Sequence, residues 1–315
     1  MAKYLVTGGA GFIGSHIAER LLTAGETVRV LDNFATGSRA TTADLAARFG
    51  PRFELIEGDV ADPDACVRAT AGVDVVFHEA ALASVPRSMA DPLSTNRANV
   101  SGTLCLLLAA RDAGVKRLVY AGSSSVYGRS EKLPKAETDP PAPASPYALS
   151  KYVGEEYTRL FAEHFGLSTV TLRYFNVFGP RQDPNSPYAA VIPAFLMRLR
   201  RGEPPIVHGT GLQSRDFTFI GNVVDANLAA AQAGATGVFN IACGSRNSLL
   251  ELLTILQSIL GTQLKPVHEP WRPGDVLHSQ ADIERARREL GYRPKVTLRQ
   301  GLEQTVAYFQ SLPQD

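Results

Sequence analysis

Cysteine is scarce in this chain: Cys66, Cys105 and Cys243 are the three among 315 residues. They are widely spaced and odd in number, which excludes a disulfide framework and a cysteine metal cluster. Each has apolar or small neighbours in the sequence. We therefore expect buried structural thiols, and the sequence predicts no metal site.

Net charge and long apolar runs are also missing. Thirty-two basic and 31 acidic side chains leave a net charge of +1, so no overall field favours nucleic acid or an anionic membrane. The sequence has no run of about 18 apolar residues, which is the length that a helix needs to cross a bilayer. The apolar run in the opening segment MAKYLVTGG is too short for a signal peptide. A cytoplasmic enzyme is expected.

The first 175 residues instead alternate short β-rich runs with helical patterns. Such alternation predicts βαβ units and a parallel sheet, and right-handed crossovers then give a doubly wound α/β fold. Strands are predicted at Tyr4–Thr7, Thr27–Leu31, Phe53–Glu57, Val73–His78, Arg117–Ala121 and Ser168–Tyr174. Helices are predicted to begin at Gly11, Thr41, Asp62, Asp91 and Ser145.

The regular alternation ends near Gly179, where a loop rich in turn-forming residues follows. A strand at Val238–Ala242 could return to the main sheet, and the proline-rich segment Leu133–Pro146 is expected to be a surface loop. Further helices are predicted at Ala189–Arg201, Asn222–Ala233, Ser248–Leu260, Asp282–Leu290 and Leu298–Gln310.

A glycine loop lies directly between the first strand and the first helix. Gly8, Gly11 and Gly14 form G-x-x-G-x-x-G, which suits a tight turn whose backbone approaches a pyrophosphate at a helix N-terminus. Asp32 ends the second strand, where a carboxylate binds ribose hydroxyls and repels a 2′-phosphate, so NAD is favoured over NADP. Asp59, after the third strand, can reach the adenine edge. A phosphate loop for another nucleotide is the alternative, but no G-K-[ST] follows.

Tyr147 and Lys151 are four residues apart near the start of a helix, so they share one face. An ammonium there stabilises a tyrosinate and is expected to lower the pKa of Tyr147, as a general base requires. Ser123, Ser124 and Ser125 follow the fifth strand, where ligands of parallel sheets bind. A surface Tyr/Lys pair and an ordinary serine turn are the alternatives for each feature alone.

With these elements in order, the chain resembles the extended short-chain dehydrogenase/reductase family over essentially its whole length. Within it the sequence is similar to nucleotide-sugar 4-epimerases, most of all to UDP-N-acetylglucosamine 4-epimerases and also to UDP-glucose 4-epimerases. The matching segments are TGGAGFIGSH, Asp32–Asn33, GDV, His78–Ala81, NVSGT, SSSVYG, RYFNVFGPRQDP, AAVIPAF, QSRDF and RPGD.

The resemblance implies a Rossmann-type NAD-binding domain over 1–178 with a returning segment at about 217–242. It implies a smaller mixed α/β UDP-sugar domain over 179–216 and 243–315. The implied catalytic residues are Ser123, Tyr147 and Lys151. The implied cofactor contacts are Gly8, Gly11, Phe12, Ile13, Gly14, Asp32, Asn33, Asp59, Val60, Ala80, Ala81, Asn99, Tyr147 and Lys151. The implied substrate contacts are Ser84, Ser123, Ser124, Tyr147, Asn176, Val191, Arg215, Arg272, Asp275 and Ser279.

The implied reaction is a 4-epimerisation without net redox change. Tyr147 removes the 4-hydroxyl proton, the hydride of C4 passes to NAD, and both return after the 4-keto sugar has turned. Arg215 and Arg272 suit a pyrophosphate because a guanidinium binds it through paired, charge-assisted hydrogen bonds. Asp275 can accept hydrogen bonds from the uridine ribose. Alone, either arginine could equally be a surface cation.

Other reactions of the family need residues that differ here. A 4,6-dehydratase typically needs Asp-Glu where Ser124-Ser125 stand, and a GDP-fucose-type enzyme needs a cysteine that no matching position supplies. The segment Ala83–Ser88 resembles N-acetylhexosamine epimerases, but Arg87 keeps a UDP-glucuronate 4-epimerase as an alternative. A catalytically silent NAD-binding protein is a remote alternative.

The hexose preference is expected to depend on Ser279. In the family, the matching residue lies beside the sugar C2 substituent, where a tyrosine restricts the enzyme to glucose and galactose. A serine leaves room for an N-acetyl group without excluding the smaller sugars.

Two departures from the family pattern and one assembly expectation remain. Glu79 stands where an apolar or amide residue is common, and Asn222 lies near a usual aspartate. The helices Asn96–Ala113 and Tyr147–Phe165 are apolar on more than one face, so they are either buried or form the seam of a homodimer.

Overall fold

The computed structural model describes residues 2–184, 190–271 and 276–312. Its strands are β1 Lys3–Thr7, β2 Thr27–Asp32, β3 Phe53–Glu57, β4 Val75–His78, β5 Arg117–Ser123, β6 Thr169–Tyr174, β7 Val177–Phe178, β8 Ile206–His208, β9 Ser214–Arg215, β10 Thr218–Phe219, β11 Gly237–Ile241, β12 Asn247–Ser248 and β13 Val267–Glu269. Its α-helices are α1 Phe12–Thr23, α2 Arg39–Phe49, α3 Pro63–Thr70, α4 Val85–Ala90, α5 Pro92–Asn96, α6 Gly102–Asp112, α7 Pro146–His164, α8 Val191–Arg200, α9 Ile220–Gln232, α10 Leu249–Leu260, α11 Glu284–Glu289 and α12 Leu298–Ser311.

Within the described residues, seven strands form one parallel sheet in the order β11-β6-β5-β4-β1-β2-β3. This is the predicted Rossmann-type, doubly wound arrangement. The returning strand expected at Val238–Ala242 is β11, which pairs with β6 at the sheet edge. The strand order reverses between β1 and β4, so their carboxyl ends open the crevice in which such sheets bind ligands.

Helix starts in this fold follow side chains that cap the first turn. A helix begins directly after Ser38, Asp62, Ser145, Ser248 and Thr297, each of which accepts a backbone N–H of that turn. The last two form capping boxes. These caps explain why most predicted helix starts differ from the observed ones by only a residue or two.

Apolar side chains cover both faces of the sheet. On one face Leu118 packs with Phe161 and with α3 and α6. On the other face the core runs without a break from Val6 into the smaller C-terminal region, where it includes Leu252 and Phe309. The domain boundaries predicted at residues 178, 217 and 242 stay a prediction, because one apolar cluster contains residues on both sides of each boundary.

The helix expected from Asp91 is divided into pieces. α5 ends at Asn96, a π-helical turn covers Arg97–Ser101, and α6 follows. Such a wide turn often marks a functional position. Here it contains the buried Asn99.

The expectation of a surface loop over Leu133–Pro146 is wrong for two of its residues. Lys135 and Asp139 are buried, because the backbone N–H of Lys135 donates to the Gln280 carbonyl at 2.8 Å and Lys135 bridges Ala281. These partners are distant in sequence, so local pattern gave no sign of them.

Three further expectations concern the cysteines, the helix start at Ala189 and membrane-spanning segments. Cys66 is buried as expected, whereas Cys105 and Cys243 are only partly buried. The helix start expected at Ala189 lies outside the described residues. Of the described helices, none is both long and apolar enough to cross a membrane.

Candidate active site

A cavity of about 870 Å³ opens at the carboxyl edge of the sheet. The segments that follow β1, β2, β3 and β4 line it, together with the start of α1 and residues 181–183. The predicted substrate residue Ser84 also lines it. So do the predicted cofactor residues Gly8, Gly11, Phe12, Ile13, Gly14, Asp32, Asn33, Asp59, Val60, Ala80 and Ala81.

The glycines of the first turn have no room for a side chain. Gly8 has a φ of +68°, and a Cβ there would lie 2.7 Å from the backbone nitrogen of Ala80. A Cβ at Gly14 would lie 2.3 Å from the carbonyl oxygen of Gly8. The turn therefore packs backbone on backbone, and the N-terminus of α1, which starts after Gly11, faces the cavity. This cradle fits a pyrophosphate.

The carboxylate of Asp32 is fixed at the cavity wall. Its two oxygens accept the backbone N–H groups of Ala10 at 2.9 Å and Phe34 at 2.8 Å. Burial raises the pKa of Asp32, and these two hydrogen bonds oppose that rise. Asp59 is fixed similarly, since it accepts the N–H of Ala61 at 2.8 Å. Both acids thus point acceptors into a site whose shape and glycine cradle fit a dinucleotide.

Three predicted catalytic side chains meet beside β5. Ser145 caps α7, which starts one residue before Tyr147 and carries Lys151 one turn further. Ser123 is the last residue of β5, and its hydroxyl is close enough to Tyr147 to lower the pKa of that phenol. The same hydroxyl hydrogen-bonds the Ser125 hydroxyl at 2.8 Å. The Lys151 ammonium donates to the Ala121 carbonyl at 2.8 Å and is almost fully buried.

The pKa of Tyr147 differs from the expectation. Burial raises it, and the nearby Ser123 hydroxyl opposes the rise. For the protein groups alone, burial therefore outweighs the lowering that was predicted from Lys151. The ammonium is engaged instead by the Ala121 carbonyl and by the ring of Tyr120, whose centroid lies 5.2 Å away.

Three predicted cofactor residues, Asn99, Tyr147 and Lys151, are not among the residues that line the cavity. Asn99 has other partners. It is 1% exposed, and its side-chain carbonyl accepts the backbone N–H of Leu82 at 2.8 Å. Its amide donates to the Ser150 hydroxyl at 3.0 Å. Asn99 therefore joins the loop after β4 to α7, and it positions both without facing the cavity.

The predicted substrate residues are distributed between the sheet edge and the smaller region. Asn176 has a φ of +35° and donates to the Asp216 carbonyl at 3.3 Å. Arg215 on β9 donates to the carbonyls of Ser214 and Leu277. The backbone N–H of Ser279 donates to the Ser214 carbonyl at 3.0 Å, which brings Ser279 beside β9. Ser124 begins the 3₁₀ turn Ser124–Tyr127 directly after Ser123, and Val191 begins α8. Arg272 and Asp275 lie outside the described residues.

Glu79 and Arg181 are among the cavity-lining side chains that the sequence-based site did not include. Glu79 is the departure from the family pattern described above. Arg181 pairs with Glu19 of α1, and the preceding Pro180 carbonyl bonds the His16 ring at 2.9 Å. The positive φ of +66° at Arg181 could not have been read from a local pattern, since non-glycine residues rarely adopt it.

Comparisons with known proteins decide the family. A family model described as "NAD dependent epimerase/dehydratase family" matches residues 4–242. The chain belongs to this family. The UDP-glucose 4-epimerase of Mycolicibacterium smegmatis is 39% identical over 315 residues, covering 99% of this chain and 100% of the relative.

Solved structures agree with this epimerase-family assignment. The UDP-N-acetylglucosamine 4-epimerase from Methanobrevibacter ruminantium, in complex with UDP-N-acetylmuramic acid, matches with a TM-score of 0.94 and 38% identity over 98% of both chains. The Thermus thermophilus UDP-glucose 4-epimerase, in complex with NAD, matches with a TM-score of 0.89 and 36% identity over 98% of this chain and 99% of that one. The protein is an extended short-chain dehydrogenase/reductase, and its cofactor is NAD.

Proposed function

We propose that this protein catalyses the NAD-dependent 4-epimerisation of a UDP-hexose. Its main pair is UDP-N-acetylglucosamine and UDP-N-acetylgalactosamine, and UDP-glucose and UDP-galactose are a second pair. The observation that carries the proposal is the placement of Ser123 and Tyr147 together beside the buried Lys151. These groups sit at the same edge of the sheet as the dinucleotide cavity, so one site combines proton transfer with a hydride acceptor.

Bound NAD supplies the acceptor for the hydride of sugar C4 and the donor that returns it. The glycine turn would hold the pyrophosphate, Asp32 the adenosine ribose, and Asp59 the adenine edge. Because the reaction has no net redox change, the site can keep its cofactor between turnovers.

Tyr147 would move the proton in both directions. As a phenolate it takes the proton from the sugar 4-hydroxyl, and it later returns that proton to the 4-oxygen of the opposite configuration. The Ser123 hydroxyl shares a hydrogen bond with the reacting oxygen. The Lys151 ammonium favours the phenolate through its charge.

The UDP moiety would stay anchored while the hexose turns. Arg215 suits the pyrophosphate, and Asn176 lies beside Arg215 in the fold. Arg272 and Asp275 are the further partners of UDP that we predict. In this view the part over 179–216 and 243–315 binds UDP, while 1–178 with 217–242 binds NAD.

Ser279 supports the preference for N-acetylhexosamines. A serine beside β9 leaves volume at the sugar C2 substituent that a tyrosine would fill. The Methanobrevibacter ruminantium relative holds a UDP-sugar with an N-acetyl group, which fits a pocket of this kind. Arg87 favours one second candidate, UDP-glucuronate, because it lines the cavity and could pair with a sugar carboxylate.

Proton NMR would test the proposal with purified protein and no added NAD. Separate tubes contain UDP-N-acetylglucosamine, UDP-glucose and UDP-glucuronate. Galacto signals that grow fastest in the first tube support the proposal, and turnover in the third tube alone would assign the second candidate. No signal in any tube, even after NAD is added, would leave a silent NAD-binding protein.

A further inference from the structure

Glu79 is a half-buried acid that the proton-transfer scheme does not use. It directly follows β4, and its backbone N–H donates to the Thr7 carbonyl at 3.2 Å. Its carboxylate accepts the Tyr174 hydroxyl at 2.8 Å, and the Asn227 amide donates to that hydroxyl at 2.8 Å. This chain of donors holds the Glu79 carboxylate in one orientation at the cavity wall.

The fold brings Glu79 to the catalytic groups from a neighbouring strand. β4, β5 and β6 are adjacent. Glu79 directly follows β4, and Ser123 and Tyr174, which end β5 and β6, are direct register partners. His78, which precedes Glu79, is the register partner of Tyr120, and the Lys151 ammonium lies 5.2 Å from the centroid of the Tyr120 ring. The Glu79 carboxylate raises the pKa of Lys151 from this neighbouring position. A buried ammonium needs such a partner, because burial alone favours its neutral form.

We propose that Glu79 is a positioning residue whose carboxylate is the through-space counter-charge of Lys151, and that it sets the pH range in which Tyr147 can exchange its proton. The inference rests on the function proposed above and adds a residue to its proton-transfer machinery. An amide at this position would keep the shape of the site but remove that charge.

The other described titratable groups near Lys151 are neutral or already paired, which leaves Glu79 as the charge that acts on Lys151. Burial lowers the pKa of His78 to about 3, so this ring stays neutral. Burial raises the pKa of Tyr120 and of Tyr174, so both keep their protons. Glu155 is neutralised by Arg173, whose Nε donates to it at 2.9 Å.

The direction of the effect follows from the sign of the charge. Burial lowers the pKa of Lys151 and Glu79 raises it. Burial raises the pKa of Glu79, whereas Tyr174 and Lys151 lower it. A negative charge in the site disfavours loss of a proton from both Lys151 and Tyr147. Its removal must therefore shift both titrations of the pair to lower pH.

The test compares Glu79→Gln with Glu137→Gln. Glu137 is a matched control because it is also a partly buried acid that accepts a backbone N–H, from Asn240 at 2.8 Å. We expect Glu79→Gln to move both limbs of the kcat/KM profile to lower pH by about one unit, and Glu137→Gln to move neither. Tyr174→Phe, which removes the donor to the Glu79 carboxylate, should give a smaller shift in the same direction.

A second measurement does not depend on turnover. The ultraviolet difference between each protein and its Tyr147→Phe version reports tyrosinate formation at Tyr147, and Glu79→Gln should lower that midpoint too. If Glu79→Gln does not fold, Glu79→Asp replaces it. Because Glu79→Asp keeps the charge, both midpoints should stay near those of the wild type. A shift as large as the one expected for loss of the charge would refute the proposal.

The outcomes separate this inference from the proposed function. An unchanged pH profile and unchanged tyrosinate midpoint in folded Glu79→Gln would overturn it. A shifted midpoint in a protein whose wild type epimerises no UDP-hexose would support the counter-charge and reject the function.

Discussion

In the proposed mechanism, Tyr147 carries the chemistry through a hydroxyl that the protein itself makes harder to ionise. Burial raises its pKa and Ser123 counteracts that rise. The phenolate therefore depends on positive charge placed nearby, from Lys151 and from the nicotinamide ring of bound NAD. This dependence links proton transfer to cofactor binding at the scale of one side chain.

Tyr147→Phe tests this role directly. We expect a loss of epimerase kcat of about 10²–10⁴-fold, because the proton acceptor is gone, with NAD binding retained. Tyr152→Phe, on the same helix with its ring against the core, is the control and should keep wild-type turnover. Activity of Tyr147→Phe within about tenfold of wild type would contradict the assigned role.

Ser279→Tyr tests the hexose preference. The added ring should fill the space beside C2 and lower kcat/KM for UDP-N-acetylglucosamine by about 100-fold, while UDP-glucose keeps most of its turnover. Parallel NMR rates with the two sugars measure this ratio. Ser311→Tyr, on the exposed end of α12, is the control. Equal losses with both sugars would show that Ser279 does not select the substituent.

At the scale of elements, most of the sheet could be predicted because its strands are short apolar runs, and β3 lies at the predicted bounds. Helix starts were predictable to a residue or two from caps such as Ser145. The π turn at Asn99 and the buried Lys135 were not, since their partners lie in distant segments. Glu79 was seen as a departure, but its contacts with Tyr174 exist only in the folded sheet.

The loop after β7 makes a further prediction at this scale. Arg181 lines the cofactor cavity and pairs with Glu19 of α1, so it ties this loop across the mouth of the dinucleotide site. Arg181→Ala should raise the NAD dissociation rate by about tenfold, through the loss of a charge-assisted contact. Arg48→Ala, which removes the other partner of Glu19 outside the cavity, is the control.

Fluorescence of bound NADH during dilution measures that dissociation. Equal rates for Arg181→Ala and Arg48→Ala would mean that the Glu19 pair only stabilises α1. A faster rate for Arg181→Ala alone would assign cofactor retention to the loop.

At the scale of the whole molecule, the exposed apolar side chains predict assembly. Leu93 is 82% exposed, Met89 65% and Leu149 51%, and they lie on α5, α4 and α7. These three helices pack against one another, and together they form an apolar surface of the kind that subunit interfaces cover. We predict a homodimer through this surface. The sequence also predicts a homodimer, but with a seam on the helices at 96–113 and 147–165, of which the second, α7, is shared with this surface.

Light scattering after size-exclusion chromatography tests the dimer. Leu93→Asp combined with Leu149→Asp should weaken dimerisation by about 100-fold, because buried charges replace apolar anchors. Val267→Asp, at an exposed position on β13, is the control and should remain dimeric. A wild-type monomer at micromolar concentration would reject the prediction.

The shared core has a consequence for how the chain is made. Val6 of the first strand and Phe309 of the last helix belong to one apolar cluster. During synthesis, the apolar cluster on the sheet therefore cannot be fully buried before residues near 309 have been made. Until then, the nascent chain exposes part of that cluster. Cooperative folding of such a chain is a late event, and both ligand sites should gain protection from hydrogen exchange in the same step.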